Sequence, residues 1–491
     1  MKLTREEILA VYEAGPEAVV SLVQRLLARI EQLEVLEQQT ATLAARVREL
    51  ELRLSRDSHN SHKPPSSDGL AKGKKPKNLR QKSGRRSGGQ PGHEGHTLRQ
   101  VEHPDAVIAH LPQHCAHCGL SLAGVPPMHI ERRQVFDLPP LALEVTEHQA
   151  QRKRCTHCGE ATQALFPPQV SEPVQYGPGI LALGVYLQHY QLLPYARTQA
   201  LLEDLFGAAP SEATLGRALE VAYRELEGIE AAIHQAIRSA AVVHFDETGL
   251  RVQSRLQWLH VAGTAQLTYY AAHAKRGREA HAAIALLPGF AGVAVHDAYP
   301  PLLSYAGRQA LCNAHLLREL IALEEETREP WPSALIWLLL EMKQEVERAR
   351  AEGVRALPPE RRATLRARYD RIVESGCGLH PPPPRRRGKG RPKQSRARNL
   401  LDRLRKHPEK VLAFVYDLAV PFDNNLAERD LRMSKLKQKI SGGFRTAEGA
   451  AIFCRIRGYI STLRKQSTHV LTALESLFTG HPYMPRLSPG Q

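Results

Sequence analysis

Long apolar runs are missing from this 491-residue sequence. The longest, 334–340, falls far short of the roughly 20 residues that a membrane-crossing helix needs, so no span is expected. An apolar leader is missing too: the start, M-K-L-T-R-E-E, carries acids where a secretory signal would be hydrophobic, which points to a cytoplasmic, nucleoid-associated protein. Cysteine is scarce, with seven in all, and four of these form two C-x-x-C pairs. That usage fits a reducing compartment and a metal site rather than a disulfide scaffold. Acid falls short of base, 51 Asp+Glu against 67 Lys+Arg, for a net charge of +16. The excess is clustered, and a clustered basic excess seeks a polyanion, nucleic acid first.

What is present divides into segments. The hydrophobic fraction of 42% is ordinary for a globular chain, and the length allows about three domains. Thr4 and Glu7 form a capping box for a short helix, ended by Gly15-Pro16. From Val19 the apolar residues alternate three and four apart, through Leu22, Leu26, Leu33, Leu36, Leu43, Val47, Leu50 and Leu54. That period predicts a coiled coil and hence a homo-oligomer, since a helix packed on a globular core would drift toward 3.6. Segment 60–100 is rich in Pro, Gly and Ser, with ten Lys/Arg against two acids between 63 and 99. It cannot bury enough apolar surface to order itself, and its Lys74, Lys75, Arg85 and Arg86 suit contacts to DNA phosphates.

Two knuckles follow, Cys115-Ala-His-Cys118-Gly and Cys155-Thr-His-Cys158-Gly. Two residues between thiolates let both reach one tetrahedral metal, so Cys115, Cys118, Cys155 and Cys158 are read as ligands of a structural Zn²⁺. His114, His117 and His157 rank below them as alternatives. Alternation over 130–136 and 143–149 predicts a β-hairpin that returns the second knuckle to the first. Segment 196–226 reads as helix, turn, helix around Gly207-Ala-Ala-Pro210, either a DNA-reading helix-turn-helix or an ordinary helical hairpin.

At Ala240 the texture becomes α/β. The runs A-A-V-V-H-F-D-E-T-G and G-V-A-V-H-D-A-Y are buried strands ending in carboxylates, with strands expected over 256–262 and 267–272 and a helix over 278–287. Helices are expected through 333–374, followed by a basic loop, P-P-P-P-R-R-R-G-K-G-R-P-K, whose Arg385, Arg386, Arg387 and Arg391 are further candidates for DNA. Pro421, Asp423, Asn424 and Asn425 predict an Asx-capped turn into a helix over 426–439. There Glu428, Arg432 and Lys435 share a face, and the two cations suit substrate phosphate.

Asp246, Asp297 and Glu428 belong together. Three converging carboxylates repel unless divalent cations neutralise them, so they are read as the ligands of two Mg²⁺ (or Mn²⁺) ions, which activate a nucleophile and stabilise a leaving oxygen. Glu247 is the alternative to Asp246, while Asp297 could instead cap its turn and Glu428 could be an ion-pair partner.

The motifs N-S-H-K-P-P-S-S-D (60–68), G-G-Q-P-G-H-E-G-H (88–96), the paired C-x-x-C-G, H-F-D-E-T-G (244–249), H-D-A-Y (296–299), C-N-A-H-L-L-R-E-L (312–320) and D-N-N-L-A-E-R-D-L-R (423–432) cover nearly the whole chain. Together they make it resemble the DDE transposases of the IS-sixty-six insertion-sequence family. The resemblance implies a ribonuclease-H-like catalytic core with a DDE triad on Asp246, Asp297 and Glu428. It also implies recognition of terminal inverted repeats and target DNA, with accessory proteins in some members. The family's C-W-A-H-x-R-R has Asn313 at the Trp and Leu317 at one basic position here, which leaves the roles of His315 and Arg318 open.

The expected organisation is multidomain α/β plus α. It comprises a coiled coil (1–57), a basic linker (58–100), a small zinc-binding β module (101–170), a helical segment (171–239), the first part of the core (240–325), a helical insertion (326–420), the helix completing the core (421–445) and C-terminal helices (446–491). Rival readings are a zinc-containing DNA-binding regulator and a domesticated nuclease that cuts without joining.

Overall fold

The computed structural model describes residues 4–54, 98–139, 141–383 and 394–488. The chain divides into two compact units, Asn78–Leu219 and Met1–Lys77 with Glu220–Gln491. The basic tract of 60–97 and the arginines at 385–387 and 391 lie outside the described residues.

Helix α1 (Arg5–Glu13) and the 39-residue α2 (Pro16–Leu54) follow the predicted periodicity. Leu26, Leu33, Leu36, Leu43, Val47 and Leu50 of the seam are all exposed on α2.

In the unit Asn78–Leu219, the two knuckles fold alike. Cys115 N donates to Leu120 O and Gly119 N to Cys115 O, and Cys155 and Gly159 repeat the pattern with Glu160 and Cys155. Gly119 and Gly159 both have positive φ, 74° and 76°, which explains the glycine after each pair. Strands β1 (Arg152–Arg154) and β2 (Ala161–Gln163) flank the second knuckle as an antiparallel pair. The described residues of 130–149 form no strand, so the expected hairpin is not seen among them. Its apolar positions Ile130, Val135 and Val145 are exposed and have no layer to bury against, and an isolated two-stranded pair is marginal without one. Gln134 instead clasps the backbone of Val101 through both ends of its amide.

Helices α3 (Pro178–Val185), α4 (Tyr195–Phe206) and α5 (Glu212–Glu225) follow, with one π-helical turn at Tyr186–Tyr190. The predicted turn between α4 and α5 is present. Gly207 at φ 70° ends α4, and Ser211 Oγ accepts from Thr214 N to start α5.

The other unit holds α6 (Glu227–Arg238) and a mixed sheet ordered β5-β4-β3-β6-β7. Strands β3 (Val242–Val252), β4 (Arg255–Gly263) and β5 (Thr268–His273) form an antiparallel meander. After α7 (Arg278–Ile284), β6 (Val293–His296) adds parallel to β3, and after α8 (Pro300–Leu303), β7 (Gln309–Leu311) adds parallel to β6. Helix α9 (Asn313–Thr327) begins directly beyond β7.

The insertion consists of α10 (Pro330–Ala351), α11 (Pro359–Leu379), α12 (Arg396–Lys406), α13 (Pro408–Val411) and α14 (Ala413–Tyr416). It makes a core of its own with α9, centred on Leu320, Leu335, Leu339, Met342, Tyr369 and Leu401. The chain then returns as α15 (Asn425–Ser441), α16 (Ala447–Lys465) and α17 (Val470–Glu475). Ala427 and Leu431 of α15 pack with Leu250, Val252, Leu259, Val261 and Tyr270 of the sheet. Gly458 lets α16 lie close to β5, where a Cβ would meet Thr268 O at 3.2 Å.

Candidate active site

Parallel pairing brings the two aspartates together. Val242, Val243 and His244 of β3 stand level with Val293, Ala294 and Val295 of β6, and the same register continued sets Asp246 level with Asp297. Alternation along the strand puts Asp246 on the face of Leu250 and Val252, the face that α15 covers. Glu428, in the first turn of α15, is near enough for its charge to act on Asp246, but the three carboxylates do not come within 4.8 Å of one another among the described residues. Burial pushes the Asp246 carboxyl well above the usual carboxylate range, and the charges of Glu247, Asp297 and Glu428 add to the shift. Asp246 Oδ1 accepts from Glu247 N and Asp297 Oδ1 from Tyr299 N, so each aspartate has one oxygen oriented by backbone.

Asn424 holds the arriving helix in place. Its Nδ2 donates to Phe245 O at 2.8 Å, its Oδ1 accepts from His244 Nδ1 at 2.8 Å, and its backbone N donates to Cys312 Sγ at 3.1 Å. The residue is 1% exposed. Asn424 stands at the N-cap position of α15 without a side-chain cap bond: Asp423 Oδ1 accepts from Asn425 N, and the Asn424 amide instead links α15 to β3 while its backbone N–H reaches the start of α9. Burial depresses the His244 pKa, so the imidazole is neutral and donates from Nδ1.

From α9, His315 Nε2 lies 3.5 Å and Arg318 Nη2 3.8 Å from the two carboxylate oxygens of Glu428. These are the residues whose roles the sequence left open, and their three-residue spacing on one helix explains how both reach the same carboxylate. Cys312, His315 and Glu428 are the one group of three potential metal ligands with atoms within 4.8 Å of one another among the described residues. Burial raises the Cys312 thiol to about 12, which keeps it protonated and a poor ligand.

The other expected residues fall differently. Glu247, the alternative to Asp246, pairs with Arg276 at 2.7 Å and is 4% exposed on its side chain. Lys435 Nζ donates to Gly249 O at 3.3 Å, so part of its reach is spent on β3. Arg432 is exposed on α15. The knuckle thiols associate within each pair, where hydrogen bonds from the Cys118 and His117 backbones lower the Cys115 pKa and those from Cys158 and His157 lower that of Cys155. The two pairs do not converge on one point among the described residues. Pairs of thiols with lowered pKa on tight turns are nonetheless the donor chemistry that zinc takes.

A mixed α/β fold with Asp246 and Asp297 level on neighbouring parallel strands, preceded by paired cysteine knuckles, fits the class that the family matches give, a transposase-type enzyme with a zinc-binding domain. More particularly, the chain belongs to the transposase IS66 family, whose model matches residues 173–452. The zinc-finger binding domain of that family's transposases matches residues 112–159 and supports a structural zinc. A family of unknown function matches residues 16–99, which takes in α2. A search of curated proteins finds no match. No helix among the described residues is long and apolar enough to cross a membrane.

Proposed function

We propose that the protein cleaves the ends of an insertion sequence and joins them to target DNA by two-metal phosphodiester transfer on a ribonuclease-H-like core. The observation that carries this reading is the adjacency of Asp246 and Asp297 on parallel strands, with Asp246 destabilised as an anion by burial and by its acidic neighbours, Glu428 among them. A carboxylate held in that condition is relieved by a divalent cation. The antiparallel meander extended by two parallel strands supports the ribonuclease-H-like assignment.

Asp246, Asp297 and Glu428 would hold Mg²⁺ or Mn²⁺, which when bound lowers the pKa of an attacking hydroxyl and stabilises the departing oxygen. In the first step the oxygen of water attacks phosphorus and gives up a proton to solvent, while the bond to the 3′-oxygen of the element's end breaks and that oxygen takes up a proton. In the second, the freed 3′-hydroxyl gives up its proton as its oxygen attacks a target phosphate in line, and the target 3′-oxygen leaves and is protonated from solvent. Backbone N–H groups at Glu247 and Tyr299 orient one oxygen of each aspartate, leaving the other for the metal. His315 and Arg318 steady the Glu428 carboxylate from α9. Arg432 and Lys435 on the same helix, with Lys74, Lys75, Arg85, Arg86, Arg385, Arg386, Arg387 and Arg391 in the basic tracts, bind DNA phosphates. Cys115, Cys118, Cys155 and Cys158 hold the zinc, α2 pairs with a second copy, and the protein works on the nucleoid in the cytoplasm, with accessory proteins of the same element as further partners.

The test is Mg²⁺-dependent nicking of a duplex that carries the terminal inverted repeat from the DNA flanking the gene. Asp297→Ala should abolish nicking and leave the affinity for DNA within about twofold, because it removes a metal ligand rather than a phosphate contact. Full nicking by this variant would remove Asp297 from the triad.

A further inference from the structure

We propose that Arg276 is a substrate-phosphate fork beside the acid cluster, an assignment that rests on the reading of the site as a phosphodiester-transfer centre. Arg276 emerges just after β5, and the backbone before it is tied down: Lys275 O is bonded by His260 Nε2 at 3.3 Å, and Lys275 N donates to His273 Nδ1 at 3.0 Å. Its Nε donates to Glu247 Oε1 at 2.7 Å. The guanidinium carbon sits 3.9 Å from the ring centroid of Tyr299 and 4.8 Å from that of Trp258. A guanidinium carries five N–H donors, and here one is spent on Glu247 while the stacking leaves the terminal pair unused. Neither Nη makes a hydrogen bond among the described residues, although the side chain is 34% exposed.

Each anchor leads back to the acids. Glu247 follows Asp246 directly, and it feels the charge of Asp297. Tyr299 donates its backbone N–H to Asp297 Oδ1. The fork is therefore fixed to the neighbours of both aspartates and keeps its outer edge open to solvent. A surface arginine placed only to neutralise Glu247 would need neither two aromatic rings nor a tied backbone. Two parallel N–H donors at a fixed position match two non-bridging oxygens of one phosphate, which lysine, a point charge on a flexible stem, cannot reproduce. The rings that hold the guanidinium are half-buried and limit its rotation, so the fork is organised before DNA arrives.

The experiment compares wild type, Arg276→Ala, Arg276→Lys and Glu247→Gln on the inverted-repeat duplex. Phosphate-ethylation interference in Ca²⁺ reads contacts without cleavage, and single-turnover nicking in Mg²⁺ reads the rate. Arg276→Ala and Arg276→Lys should each lose interference at one phosphate at or next to the cleavage position. At saturating DNA they should nick on the order of a hundredfold more slowly, with affinity changed only a few-fold. Glu247→Gln keeps an acceptor for Nε and should retain the contact. Arg276→Lys keeps the charge, and its melting temperature separates loss of the fork from loss of fold. Unchanged interference and unchanged rate in Arg276→Lys would overturn the proposal while leaving the transferase reading intact. A lost phosphate contact in a protein whose wild type never nicks would uphold the fork and remove that reading. Absence of any interference in the wild type would overturn both.

Discussion

At the scale of residues, adjacent side chains on β3 do opposite things. Asp246 faces the acid cluster, and Glu247 turns to Arg276. Both carboxyls are held above their ordinary range, Glu247 from 4.5 to about 7, chiefly by burial. A carboxyl with a raised folded pKa binds its proton more tightly in the fold. Its contribution to stability is therefore present below the unfolded value and is lost as pH rises through the folded one. Without metal, the protein should lose up to about 3 kcal/mol between about pH 5 and pH 8 from Glu247, with a further loss from Asp246. Thermal melts should show the fall, Mg²⁺ should reverse it at the higher pH, and Asp246→Asn should reduce it. A melting temperature indifferent to pH and to Mg²⁺ would mean that the acids are not under this strain. The two aspartates were legible in the sequence because each follows an apolar β-branched run, but only Asp297 lies beyond its strand: β3 continues past Asp246 to Val252, held there by pairing with β4. Arg276 was not, since nothing local distinguishes it from other surface arginines.

At the scale of elements, α15 shows how a helix can be visible while its docking is hidden. Turn chemistry and helical phase place its start within one residue of Asn425 with Asn424 at the N-cap, yet the docking bonds of the Asn424 amide are hidden. Its partners, His244 and Phe245, lie some 180 residues away and cannot be found from local pattern. The reverse holds for α2, where the seam period alone carries the argument. Leu33 and Leu36 are 51% and 57% exposed, and that apolar stripe has no partner within the described chain. Leu33→Lys with Leu36→Lys should convert a dimer to a monomer in sedimentation experiments and leave the melting of the sheet-containing unit unchanged. A wild-type monomer at micromolar concentration would refute the coiled coil.

At the scale of the whole molecule, a basic chain carries an acidic group of side chains, and the sign of the charge changes with location. The excess of base lies in tracts that can meet DNA, and Asp246 and Asp297 are brought level where two neighbouring strands run parallel. The zinc-finger match over 112–159 predicts one tightly held zinc per chain by elemental analysis. Its removal by chelation should unfold that segment, whose apolar residues Ile130, Val135 and Val145 have little core to hold them, and should weaken DNA binding about tenfold or more. If no zinc is bound, and chelation changes neither folding nor affinity, the module is not a zinc site.

Local chemistry determined which segments are helical, which apolar runs lead into acid, where the thiols pair, and which tracts are basic. Those properties depend on neighbours a few residues away. It also suggested a hairpin over 130–149 that is not seen among the described residues, because alternation without a layer to bury against does not make a strand. Only the tertiary structure decided that Asp246 stands level with Asp297, that Glu428 arrives against His315 and Arg318, and that Arg276 stacks on Tyr299 and Trp258. These depend on strand order and on a helix returning after a long insertion. No local signal encodes contacts whose energy is realised only when distant segments pack together.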